Sequence, residues 1–63
     1  MSDRPLSVLI VDDERPARER LERLLAGDRR LAVTGHAEDG EQAMDQIVGL
    51  RPDIVFLDIQ MPG

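Results

Sequence analysis

The sequence has no cysteine, no tryptophan, no tyrosine and a single phenylalanine, Phe56. Without cysteine no disulfide can staple the chain, and a reduced compartment fits. One aromatic offers no stacking surface for single-stranded nucleic acid. Lysine is absent as well, and eight basic residues against 13 acidic ones leave a net charge of −5. These residues therefore supply no phosphate-backbone grip of their own. No apolar run approaches the ~18 residues of a membrane span. The opening Met1-Ser2-Asp3-Arg4-Pro5 is too polar for a secretory signal, so the expected setting is the cytoplasm.

What is present is small, with 63 residues against the ~100–150 of an ordinary domain. A chain of this size buries at best ~60% of its unfolded surface, a marginal share without staples, metal or partner. A hydrophobic content of 41% nevertheless suffices for a core and argues against wholesale disorder.

The apolar run Val8-Leu9-Ile10-Val11 is continuous and rich in β-branched residues, the pattern of a strand buried on both faces. It ends in Asp12-Asp13-Glu14. Pro16 suits the first turn of a helix, where its missing N–H costs nothing. Ala17, Leu21, Leu24 and Leu25 then recur at helical spacing, with Gly27 as the expected C-terminal cap. Arginines and glutamates fill the opposite face, and Glu14–Arg18 and Glu19–Arg23 stand at pairing distance. A second strand is predicted at 31–35. Asp39 caps a second helix whose third residue, Gln42, can close a capping box. Ala43, Met44, Ile47 and Val48 form its apolar face, and Gly49 and Pro52 end it. The run Ile54-Val55-Phe56-Leu57 is again continuously apolar and ends in Asp58. The order is β-α-β-α-β, with connections short enough for right-handed parallel crossovers.

Two strands thus end in acid. Ligands of open parallel sheets bind beyond the carboxyl ends of the strands, where strand order reverses. In the order 2-1-3 the first and third strands are ~4.8 Å apart and their acids converge, whereas in the order 1-2-3 they are ~10 Å apart and share no site. Two carboxylates ~5 Å apart repel by ~3 kcal/mol at an effective dielectric of 20, so converging acids call for a cation. Oxygen donors alone suit Mg²⁺, with Mn²⁺ or Ca²⁺ as substitutes. Such an ion can hold a phosphoryl group against one carboxylate, which attacks phosphorus to give an acyl phosphate. Each acid also has a plainer reading: Asp12 or Asp13 as helix cap, Asp39 and Glu38 in capping, Glu14, Glu19 and Glu22 as a solvated face. His36 reads as a surface residue and Met44 as core.

At these residues the chain resembles the receiver domain of two-component response regulators. Val8-Leu9-Ile10-Val11-Asp12-Asp13-Glu14 is similar to the family's first strand and acidic pair. Ala37-Glu38-Asp39-Gly40-Glu41-Gln42-Ala43 resembles the entry to its second helix, and the segment from Pro52 through Asp58 to Gly63 its phosphoacceptor strand and following loop. Asp-Asp-Glu-x-x-Ala-Arg-x-x-Leu at 12–21 and Leu-Asp-Ile-Gln-Met-Pro at 57–62 most resemble regulators with a LytTR-type DNA-binding output domain. The resemblance implies a flavodoxin-like α/β fold with sheet order 2-1-3, residues 1–63 being the N-terminal half of a receiver domain. It implies that Asp58 accepts a phosphoryl group from a sensor histidine kinase. It further implies that Mg²⁺ is held by Asp13, the Asp58 carboxylate and the backbone carbonyl of Gln60, with Asp12 acting mainly through a metal-bound water. Such a domain is consumed and reset by hydrolysis, a switch more than an enzyme. DNA would be reached only through an output domain outside these residues.

A complete receiver of this family is about twice as long. Its second half carries two more strands, a Thr or Ser that binds the phosphoryl group, and a Lys that pairs with it. With order 2-1-3, the strand at 54–57 is left as an apolar edge, so the 63-residue chain is expected to self-associate through it. Two other readings compete. One is a Mg²⁺-dependent aspartyl phosphotransferase or phosphatase of the dehalogenase-like kind, whose second acid would stand where this chain has Gln60. The other is an interaction fragment with no live site.

Overall fold

A computed structural model describes residues 4–57. It contains β1 (Leu6–Val11), α1 (Arg15–Ala26), β2 (Leu31–Ala37), α2 (Gly40–Leu50) and β3 (Ile54–Leu57). The three strands form one parallel sheet in the order β2-β1-β3, as the resemblance implies. β1 is the central strand and is buried on both faces, with Val8, Leu9 and Ile10 at most 1% exposed. Its unbroken apolar run is what a doubly covered parallel strand requires.

The core lies between β1 and α2, where Leu9, Val11, Ala37 and Ala43 pack together and Ile47 closes the edge of the cluster. The capping expectation for α2 holds, since Asp39 accepts from the Gln42 N–H at 2.8 Å. The reciprocal bond is shifted by one residue: Gln42 Oε1 accepts from the Glu38 N–H rather than from that of Asp39. Two readings of α2 are corrected here. Gly49 does not end α2; the helix runs to Leu50, and Arg51 adopts the left-handed conformation (φ 48°) while its N–H bonds the Ile47 carbonyl. Pro52 disfavours right-handed helical geometry in the residue before it, which moves the stop to Arg51. Met44 and Val48 are 60% and 72% exposed rather than core, because α2 seats Ala43 and Ile47 on β1 and β2 and does not touch β3. Gly27 is the C-terminal cap of α1, as expected, though in the right-handed conformation, so the special freedom of glycine is not used there.

The second strand runs two residues further than expected, to Ala37, and it is bulged. Its register against β1 slips between Val8 and Leu9, leaving Thr34 as the extra residue. A bulge of one residue reverses the faces that follow. Beyond it Ala37 joins the core under α2, while His36 turns toward α1 and meets Glu22 at 2.5 Å. Gly35 sits where the helix comes closest: an added Cβ would meet the Gln46 amide and Leu50, and would lie 3.2 Å from Leu9. The Gln46 amide itself donates to the His36 carbonyl on the outer edge of β2, satisfying a backbone group that an edge strand leaves open.

This contact yields a prediction. Gly35→Ala must displace Gln46 from His36, and should lower stability by about 1–3 kcal/mol. In a Gln46→Ala background the same substitution should cost distinctly less. Denaturant unfolding of the four proteins of the cycle measures the coupling.

Candidate functional site

β1 and β2 both end in acid at the same edge of the sheet, in Asp12-Asp13 and Glu38-Asp39. Asp12 is 7% exposed. Its N–H donates to the Ala37 carbonyl at 3.0 Å and its carboxylate accepts from the Glu14 N–H at 2.9 Å. That last bond is a local turn and not a helix cap: the N-cap of α1 is Glu14, whose side chain makes no capping bond. Asp13 is exposed at the tip and lines a cleft of about 490 Å³ together with Arg18, His36 and Glu38. The two acids therefore differ in role, one fixed by backbone and one presented to solvent.

The helical spacing places Arg18 on the solvated face of α1, paired with Glu14. Instead its guanidinium reaches back along the helix and donates to the Asp12 carbonyl at 2.6 Å. Glu19 pairs with Arg15 at 3.3 Å and not with Arg23. The sequence carried no signal for the Arg18 contact, because an i,i+4 carboxylate offers the same residue an equally plausible partner. His36 stands in the same cleft, but its ring is held by Glu22 across from α1.

The partner edge is set by β3. Its register pairs Val8 with Ile54 and Val11 with Leu57. That register is locked at the far end by Ser7 and Asp53: the Asp53 carboxylate accepts from the Ser7 N–H (2.8 Å) and hydroxyl (3.1 Å), and the Asp53 N–H donates back to Ser7. These bonds, the backbone one foremost, hold the Asp53 carboxyl below its ordinary 3.8. Asp28, in the turn before β2, is pushed down to about 2 by the forked Arg30 guanidinium and the Arg30 N–H; it lies at the end of the sheet away from the acids. Asp58 and Gln60, the remaining expected site residues, lie outside the described residues, as does Met61.

Strand order, acid placement and register together match a family pattern. A family model for the response regulator receiver domain matches residues 8–63. The chain belongs to the response regulator receiver domain family. The receiver is 51% identical over 59 residues to a protein-glutamate methylesterase/protein-glutamine glutaminase of Anaeromyxobacter dehalogenans, covering 94% of this chain and 17% of that protein. It is 46% identical over 56 residues to the sensory transduction protein LytT of Bacillus cereus, covering 89% of this chain and 23% of that protein, in keeping with the LytTR-type resemblance. Other relatives are named as transcriptional regulatory proteins. The crystal structure of the response regulator domain of Thermotoga maritima CheB superposes with a TM-score of 0.86 at 35% identity, covering 95% of this chain and 45% of that one. The chain thus spans about a fifth of the curated relatives and under half of a solved receiver. Methylesterase chemistry belongs to relatives matched only over this small share.

The donor set of the receiver fits a hard divalent cation. Asp12 and Asp13 offer carboxylate oxygens, no thiol exists, and the nearest imidazole is engaged by Glu22. Among the described residues no three carboxylate, histidine or cysteine side chains gather as a metal site. No described helix is long and apolar enough to cross a membrane.

Asp53 gives a pH prediction. Its carboxyl is lowered in the folded state, so its contribution is fully present above the ordinary 3.8 and fades as pH falls below it toward the folded value. Between pH 6 and pH 3, Asp53→Asn and Ser7→Ala should each lose less stability than the parent. Thermal midpoints across that range test it; equal slopes would remove Asp53 from the account.

Proposed function

We propose that this receiver accepts a phosphoryl group on Asp58 from a sensor histidine kinase, with Mg²⁺ at the acidic tip, and that residues 1–63 are the N-terminal half of the domain. The observation that carries this reading is the register: Leu57, the residue before Asp58, pairs with Val11, the residue before Asp12. Parallel neighbours are ~4.8 Å apart, which favours one shared site for the three acids. The half-domain assignment is supported by the match to 45% of a solved receiver.

In this reading an Asp58 carboxylate oxygen attacks phosphorus as the phosphorus–nitrogen bond of the phosphohistidine breaks, and the released imidazole takes up a proton. An acyl phosphate results, and water returns it to carboxylate and inorganic phosphate. Mg²⁺ supplies charge neutralisation for the transferring group. Asp13, the Asp58 carboxylate and the Gln60 carbonyl would hold it directly, and Asp12 through water. The buried Asp12, tied to Glu14 and Ala37, keeps the opening acid in place. The domain is a phosphoacceptor switch working in the cytoplasm, and transcription is the output favoured by the LytTR-type pattern, through a DNA-binding domain outside these residues. The competing aspartyl phosphotransferase reading is disfavoured by Gln60, which occupies the position of its second acid.

Acetyl phosphate with MgCl₂ should label the full-length protein in a hydroxylamine-labile adduct that disappears in Asp58→Asn and on chelation. A label that survives Asp58→Asn would refute the assignment.

A second copy of the 63-residue chain is the partner we propose for β3. The two sheet edges differ: β2 packs against both helices and has its outer carbonyl at His36 bonded by Gln46, while among the described residues the backbone of β3 packs closely on β1 only. Val55, Phe56 and Leu57 are 41%, 36% and 58% exposed, an apolar edge that invites strand pairing. Light scattering after size exclusion at tens of micromolar should show a dimer or larger for the 63-residue chain, reduced by Val55→Lys; a stable monomer would count against it.

A further inference from the structure

We infer that Arg18 is the positioning residue of the metal site: through one hydrogen bond to the main chain it sets the direction in which Asp13 leaves β1. This rests on the metal reading given above. Arg18 NH1 donates to the Asp12 carbonyl at 2.6 Å, and that carbonyl shares its peptide plane with the Asp13 N–H. A planar, rigid peptide transmits the constraint directly to the next residue. Asp12 is already tied on its other side, by its N–H to Ala37 and its carboxylate to the Glu14 N–H. The guanidinium adds a restraint on the side from which Asp13 projects.

An ion pair does not explain where Arg18 sits. Glu19 is engaged by Arg15 and Glu22 by His36. The Arg18 Nε is buried and has no hydrogen-bond partner among the described residues. An arginine serving solubility or a helix-face pair would keep all its donors in water or on a carboxylate. Here a buried donor is left unmet while another reaches a backbone carbonyl, so the carbonyl is the contact that fixes the side chain.

A cation placed close to a metal site would by charge alone weaken metal binding. The two roles therefore predict opposite signs. If Arg18 acts only as a charge, removing it tightens Mg²⁺ binding. If it positions Asp13, removing it loosens binding, even though a repelling charge is gone.

The test uses the full-length protein, Arg18→Met, which keeps the apolar stem, and Arg18→Lys, which keeps the charge and a donor. Three readouts are compared: the MgCl₂ concentration giving half of the maximal thermal stabilisation, deuterium uptake at residues 12–14, and acetyl phosphate labelling. For Arg18→Met we expect a three- to tenfold higher MgCl₂ midpoint and faster uptake at 12–14, with Arg18→Lys restoring much of both. An unchanged or lower midpoint in Arg18→Met overturns the inference. So does a raised midpoint that Arg18→Lys leaves wholly unrestored while uptake at 12–14 stays at the parent level. Should Arg18→Met fail to fold, Arg18→Ala carries the same comparison, and failure of all three variants to fold would reassign Arg18 to the core fold and overturn the inference. A parent protein that neither responds to MgCl₂ nor labels at Asp58 defeats the metal reading itself. A parent that does both while Arg18→Met matches it defeats only the role of Arg18.

Discussion

Everything in this receiver is referred to β1. Among the described strands it is the one with a neighbour on each side, and both helices pack against it. Its Val8-Leu9-Ile10-Val11 run is buried throughout and supplies most of the buried apolar side chains among the described residues. Because β1 is central, the residues at its C-terminal end are central as well. Asp12 and Asp13 emerge between the ends of two neighbouring strands rather than at a margin, and that placement turns a pair of acids into a candidate site.

The acidic tip is built by restraint more than by attraction. Asp12 is held by its amide, its carboxylate and its carbonyl, each to a different element: β2, the turn into α1, and α1 itself. At the other end of the sheet, Ser7 and Asp53 tie the starts of β1 and β3 together. The β1–β3 ladder runs without a register shift from Val8–Ile54 to Val11–Leu57, so the lock at its start also fixes which residues stand side by side at its end. Residues remote from the acids thereby take part in arranging them.

The two margins of the sheet are treated differently. β2 is bulged, flanked by both helices and bonded at its outer edge by Gln46, whereas β3 is short and apolar and, among the described residues, has its backbone packed closely on β1 only. That asymmetry accords with a receiver of which this chain corresponds to less than half of a solved example. It also explains why Met44 and Val48, apolar and at proper helical spacing, remain in water: α2 has ground to pack on over β1 and β2 only.

Periodicity and turn chemistry alone predicted all five elements, the Asp39 cap and the buried first strand, because each depends on residues close together in the chain. The acids at the strand ends were legible for the same reason, and the motif pattern assigned their family. Strand order was not derivable from local pattern; it came from resemblance, and the sheet bears it out. The Thr34 bulge, the stop at Arg51, the turn of His36 toward Glu22, the Ser7–Asp53 lock and the reach of Arg18 to Asp12 were decided by tertiary structure. Each is a choice among partners equally available along the sequence, and only the three-dimensional packing of β1 against its neighbours makes one partner nearer than the rest.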